Sequence, residues 1–145
     1  MDYEKDLALL RTKSRYMDPR KVLRELIKVI GYHPDALTIY SDLKLIDLDM
    51  VKSFREKGVS GRLVADKVLK NLEIKTPNSQ ELSIKIFGYY KKITPATLDG
   101  YIDYVADRVQ LQKEIATNQR RLQQKELDDL IQEEESTLGE IEEFY

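Results

Sequence analysis

No cysteine occurs in the 145 residues, which excludes a disulfide framework and a thiolate zinc site and makes a reducing compartment, the cytoplasm, the expected location. Glycine (six) and proline (four) are scarce, charged residues make up 34%, and Leu, Ile, Lys and Glu dominate, so the composition favours helices over sheet. An all-α fold is expected. No apolar run approaches the ~18 residues of a transmembrane helix, and Met1-Asp2-Tyr3-Glu4-Lys5-Asp6 lacks the basic-then-apolar order of a signal peptide. No membrane partner is expected. Histidine occurs once, as His33, before a proline, where a cap or surface role is commoner than a ligand or a base. Also missing are a phosphate-cradling glycine loop, a nucleophile with a histidine partner and metal-ligand spacings. Asp103 and Asp107 stand at i and i+4, but without a second carboxylate helix they read as a solvated face. The expectation is a chain that is not an enzyme, with no catalytic residue, no metal and no cofactor.

What is present is segregated charge. The net of −2 hides a body, residues 1–125, with 24 basic against 17 acidic residues, a net of +7. Residues 126–145 carry nine acids and no base, a net of −9. A basic body suits a polyanion and an acidic tail suits a protein partner; solvated helix faces are the plainer alternative.

Residues 47–72 supply the recognition device. Asp47 is placed to cap a helix over 48–57, Gly58 to stop it in the left-handed conformation, Val59 to plug the corner and Ser60 to cap a second helix. Val64, Ala65, Val68, Leu69 and Leu72 share one face of that second helix and must be buried. Ser60, Arg62, Lys67 and Lys70 point away, where they suit base edges and phosphates, and Lys52 and Arg55 of the preceding helix suit the backbone. This stretch resembles helix-turn-helix DNA-binding proteins, from which it departs at Phe54, Lys57 and Lys67. A Gly-Val-Ser turn joining two ordinary packed helices is the competing reading.

Upstream, residues 3–16 read as a short helix, Asp18-Pro19 restarts one that ends at Gly31, and His33-Pro34 starts another. Downstream, residues 74–79 around Pro77 read as a boundary. A helix is expected over 80–92, apolar almost all round through Leu82, Ile84, Ile86, Phe87, Tyr89 and Tyr90. Thr94-Pro95 opens the longest helical pattern. Leu98, Ile102, Val105 and Val109 step by four, three and four, and Leu111, Ile115 and Leu122 continue a narrower seam that contains Asn118. A narrow seam with a polar residue is what an oligomeric coiled coil uses to set its register. Unbroken to about residue 134, this helix would be on the order of 60 Å long and would need copies of itself; a fold-back near Thr117-Asn118 is the alternative. Leu138, Ile141, Phe144 and Tyr145, set among acids, read as a docking peptide for a second protein.

The expected organisation is therefore a basic helical domain over 1–75, a helical hairpin and long oligomerisation helix over 78–135, and an acidic docking peptide over 136–145. That order resembles the small terminase subunits of tailed bacteriophages. The resemblance implies that Ser60, Arg62, Lys67 and Lys70 belong to the recognition helix for viral DNA, residues 80–116 to the ring-building hairpin, and residues 138–145 to the contact with the large ATPase-nuclease subunit. A helix-turn-helix transcription regulator with a dimerising coiled coil is a close alternative. A helical protein adaptor or assembly scaffold without nucleic-acid binding is the alternative of another class.

Overall fold

The computed structural model describes the backbone of residues 3–78 and 81–144 and the side chains of 4–76, 81–88 and 90–135. Five helices come first: α1 (Tyr3–Lys13), α2 (Pro19–Ile30), α3 (Ala36–Asp42), α4 (Leu48–Glu56) and α5 (Gly61–Lys70). Three strands follow, β1 (Leu72–Asn78), β2 (Glu81–Ile86) and β3 (Tyr89–Ile93), and then α6 (Pro95–Phe144). The chain divides into two compact units, Met1–Val109 and Gln110–Tyr145. The domain boundary expected between 75 and 78 falls inside β1.

Local chemistry accounts for the helix starts. The Asp18 carboxylate accepts from the Arg20 N–H at 3.0 Å, with Pro19 at the first position of α2. Asp47 accepts from the Met50 N–H at 2.7 Å, Ser60 Oγ from the Leu63 N–H at 3.2 Å, and Thr94 Oγ1 from the Thr97 N–H at 3.1 Å. Each satisfies a donor that the first helical turn leaves unpaired. Helix α2 carries the densest apolar face, with Val22, Leu23, Leu26, Ile27 and Ile30 all fully buried. Tyr40 of α3 is sealed against it, donating its hydroxyl to the Ile27 carbonyl at 2.5 Å.

The fold is not purely helical. Residues expected as a helix over 80–92 form β2 and β3, which with β1 make an antiparallel sheet in the order β1-β2-β3. The physical reason lies in the period of the run. Leu82, Ile84 and Ile86 are buried while Ser83 and Lys85 between them are not, an alternation of two that only a strand presents to one side. Phe87 (φ 51°) and Gly88 (φ 88°) then reverse the chain in the left-handed pair that suits the twist of a two-residue hairpin. Pro77 lies in β1, an edge strand, where the register shifts between Lys75 and Asn78, the setting in which a strand tolerates proline.

The sheet and the start of α6 complete one core with the five helices. Leu98, Ile102, Val105 and Val109 are 3%, 1%, 1% and 4% exposed. They pack into this intramolecular core with Leu82, Ile84 and Ile93, so these four residues are a correction to the expected oligomer seam. Their four-three-four spacing is that of any helix with one buried face. Polar ties hold the same segment: Asp99 pairs with Arg11 at 2.9 Å, Asp103 with Arg11 at 3.4 Å, and Arg108 with Asp35 at 3.4 Å. The Tyr104 hydroxyl donates to Asp42. Asp103 is thus the partner of an arginine, and among the described residues no group of three or more acidic or histidine side chains is arranged to hold a metal. His33 is buried rather than at the surface, its Nδ1 accepting from the Asp35 N–H at 2.9 Å.

Candidate nucleic-acid interface

The candidate unit over residues 47–72 begins with the backbone of its turn. Helix α4 closes at Lys57, Gly58 adopts φ 63° with open space where a side chain would be, and Ser60 extends (φ −68°, ψ 155°) to cap α5. The Val59 N–H donates to the Phe54 carbonyl at 3.0 Å, and both side chains pack against the core from partly buried positions. Phe54, one of the positions where the stretch departs from helix-turn-helix proteins, is thus used for packing.

The close crossing occurs elsewhere, between α5 and the end of α2. A Cβ on Gly61 would lie 2.6 Å from the Gly31 carbonyl oxygen and 2.8 Å from the Ala36 Cβ, and one on Gly31 would lie 2.8 Å from the Ala65 Cβ. Gly31 itself is right-handed (φ −58°), so it is required for the approach of α5 and not for a left-handed helix stop. Gly31, Gly61 and Ala65 set the seat of α5 on the core.

Seated this way, α5 buries Val64, Ala65 and Val68 and leaves Arg62, Lys67 and Lys70 exposed, with Leu63 and Asp66 among them. The Arg62 guanidinium lies over the Tyr32 ring, 5.0 Å from its centroid. A contact of this kind restricts where the arginine points. Tyr32, just past the end of α2, joins the candidate surface although the sequence alone gave no signal for it. Lys52 and Arg55 of α4 and Ser60 are also exposed; Arg55 reaches back to Thr38 Oγ1 at 3.2 Å. A cleft of about 340 Å³ lies here, with Thr38, Arg55, Val59, Ser60 and Gly61 in its wall.

A second basic surface was hidden by the helical reading of 80–92. The register sets Lys75, Ser83 and Lys92 side by side, and beside them Glu73, Lys85 and Tyr90, so all six side chains share the sheet face turned from the core. Tyr90 is 76% exposed, with Lys85 Nζ 5.1 Å from its ring centroid. Hydrogen bonding to Tyr90 raises the pKa of Lys85, with smaller contributions from the Tyr90 and Glu73 charges. Lys92 faces Glu81 at 3.7 Å. The period-two alternation was the signal that could have found this face.

Other expected site residues divide between the two units. Leu111, Ile115 and Leu122 lie in Gln110–Tyr145 and are 44%, 42% and 62% exposed, and Asn118 is exposed with them. Leu138, Ile141 and Phe144 fall within the helical backbone of α6, but their side chains, and all of Tyr145, lie outside the described residues. No helix among the described residues is long and apolar enough to cross a membrane. Residues 1–109 carry 20 basic against 16 acidic residues, a net of +4, so the polyanion case rests on placement and not on bulk charge. No protein family, characterised protein or solved structure matches the chain.

Proposed function

We propose that the chain is a non-enzymatic, DNA-binding, self-associating adaptor, most like a small terminase subunit that recognises viral DNA and passes it to a partner ATPase through its C-terminal tail. One observation carries the DNA part. Helix α5, preceded by a left-handed glycine turn, is divided into a buried apolar face and an exposed face bearing Arg62, Lys67 and Lys70. An α-helix presented on a core in this way fits a major groove, with the capped N-terminus toward base edges and lysines along the phosphates. The exposed row Leu111, Ile115 and Leu122 supports self-association, and it equally supports a transcription regulator that dimerises through the unit Gln110–Tyr145.

The test is salt-dependent duplex binding by the full chain and by a variant with Arg62, Lys67 and Lys70 replaced by alanine. The two lysines on the phosphates contribute a log–log salt slope of about −1.8, or roughly a 12-fold loss of affinity between 50 and 200 mM salt. The variant is expected to lose that part of the slope with unchanged helicity, because none of the three side chains is buried. Unchanged binding by a folded variant would overturn the assignment of α5. Absence of duplex binding by the full chain at both salts would leave the protein-adaptor reading.

A further inference from the structure

Helix α2 buries six residues on one face and turns a basic edge outward. Lys21, Arg24 and Lys28 are all exposed. At about 100° per residue they fall within about 60° of one another, and at about 1.5 Å of rise per residue they span about 10 Å of the helix. None of the three is in an ion pair among the described residues. Arg20 is set apart from them because Asp18 holds it at 2.7 Å, and Glu25, the one acid of α2, is half-buried.

The helix itself does not account for these cations. Its first turn holds no acid but does hold Lys21, where the partial positive charge of a helix start disfavours a cation. Only Lys28, in the last turn, suits the helix dipole.

Position ties the edge to the candidate interface. Tyr32 lies about one turn beyond Lys28 and carries the Arg62 guanidinium 5.0 Å from its ring centroid. The crossing of Gly31 and Gly61 brings the end of α2 against the start of α5. Lys21, Arg24, Lys28 and Arg62 thus form one continuous row, with a single half-buried acid beside it. Such a row complements a polyanion, and the phosphate backbone is the polyanion that passes the capped N-terminus of α5 when that helix enters a groove.

We infer that the exposed edge of α2 is a track for the phosphate backbone of duplex DNA, which lengthens the footprint of α5 by about 10 Å without reading bases. Contacts of this kind fix register and orientation and carry no sequence information. The inference rests on the DNA part of the proposed function and adds to it a surface outside residues 47–72.

The experiment measures duplex binding against salt for the full chain and for a variant combining Lys21→Ala, Arg24→Ala and Lys28→Ala. All three positions are exposed and alanine is the strongest helix former, so helicity by circular dichroism is retained. Loss of three phosphate contacts should make the log–log salt slope shallower by about 2.7, so that between 50 and 200 mM salt the natural chain loses roughly 40-fold more affinity than the variant. A charge-preserving variant, Lys21→Arg with Arg24→Lys and Lys28→Arg, is expected to keep the natural slope, and its losing that slope would overturn the inference. A folded alanine variant with the natural slope overturns it too and leaves the assignment of α5 standing. The converse, an α5 variant with the natural slope beside a shallower α2 variant, overturns α5 and leaves the track. Absence of duplex binding by the full chain at both salts overturns both. Should the alanine variant lose binding to phosphatidylserine vesicles while its duplex binding is unchanged, the edge faces a lipid surface and the inference is overturned.

Discussion

Replacing Gly61 with alanine tests whether the seat of α5 is as tight as the α2 crossing requires. The added Cβ would lie 2.6 Å from the Gly31 carbonyl oxygen, and restoring an ordinary contact of about 3.4 Å needs a shift of about 0.8 Å between two backbones. Neither neighbour is the free end of a flexible side chain. Overpacking of this kind costs about 1–3 kcal/mol, while the helix preference of alanine over glycine returns at most about 1 kcal/mol, and less in a first turn. A net loss of roughly 1–2 kcal/mol remains. With a urea dependence near 1.5 kcal/mol/M, the midpoint should fall by about 1 M. Tyrosine fluorescence suits the assay, because the chain has nine tyrosines and no tryptophan and Tyr40 and Tyr101 are buried in the first unit. Gly100→Ala is the control. It lies within α6 with open space where its Cβ would be, so it should raise the midpoint by roughly 0.5 M. A Gly61→Ala midpoint at or above that of the natural chain, with Gly100→Ala behaving as expected, would refute the close-crossing argument.

Lys44→Gly should raise stability by about 0.5 kcal/mol in the same urea assay, because Lys44 holds φ 57° and a side chain in that conformation costs about 1–2 kcal/mol, partly offset by the backbone entropy of glycine. The substitution also removes a charge that, after burial, helps lower the pKa of Lys91. The cap of α2 predicts an acid-side loss: hydrogen bonds from Arg20 lower the Asp18 pKa below its ordinary 3.8. A carboxylate depressed in the folded state stabilises fully above its unfolded pKa, and that contribution disappears as pH falls through the lower folded value. Asp18→Asn, which keeps a capping oxygen, should flatten the pH dependence of stability below about pH 4; an unaltered profile would remove Asp18 from the acid transition. Tyr32→Ala should weaken duplex binding about two- to fivefold through lost orientation of Arg62, measured beside an unchanged urea midpoint.

Sequence carried the helical half of the molecule because capping is local. Asp18, Asp47, Ser60 and Thr94 each reach a backbone N–H within three residues, so side-chain type and spacing suffice to place them. The sheet was lost for a competing reason. Phe87, Tyr89 and Tyr90 extend the apolar run past Ile86 until an alternation of two looks like a helix with no polar side, and a phenylalanine with positive φ is an unusual turn signal. Val105 and Val109 show the other limit. A stripe buried by its own chain and one buried by a neighbour share a single spacing, and only the surroundings distinguish them. Within the candidate interface, the exposed cations of α5 were legible from periodicity, whereas Tyr32 beneath Arg62 and the glycine crossing depend on contacts some thirty residues apart in the chain.

Only Asn71 separates α5 from β1, and it is already committed, donating from its side chain to the Lys67 carbonyl at 2.8 Å. Helix and strand therefore meet without slack, so the junction is intolerant of changes in length. One inserted residue must either unwind the last turn of α5, displacing Lys67 and Lys70, or rotate β1 by one position and turn Leu72 and Ile74 away from the core. Substitutions on the exposed face of α5 are free of this constraint. The junction thus permits the exposed face of α5 to diverge in side chains while holding the position of that helix against the sheet fixed.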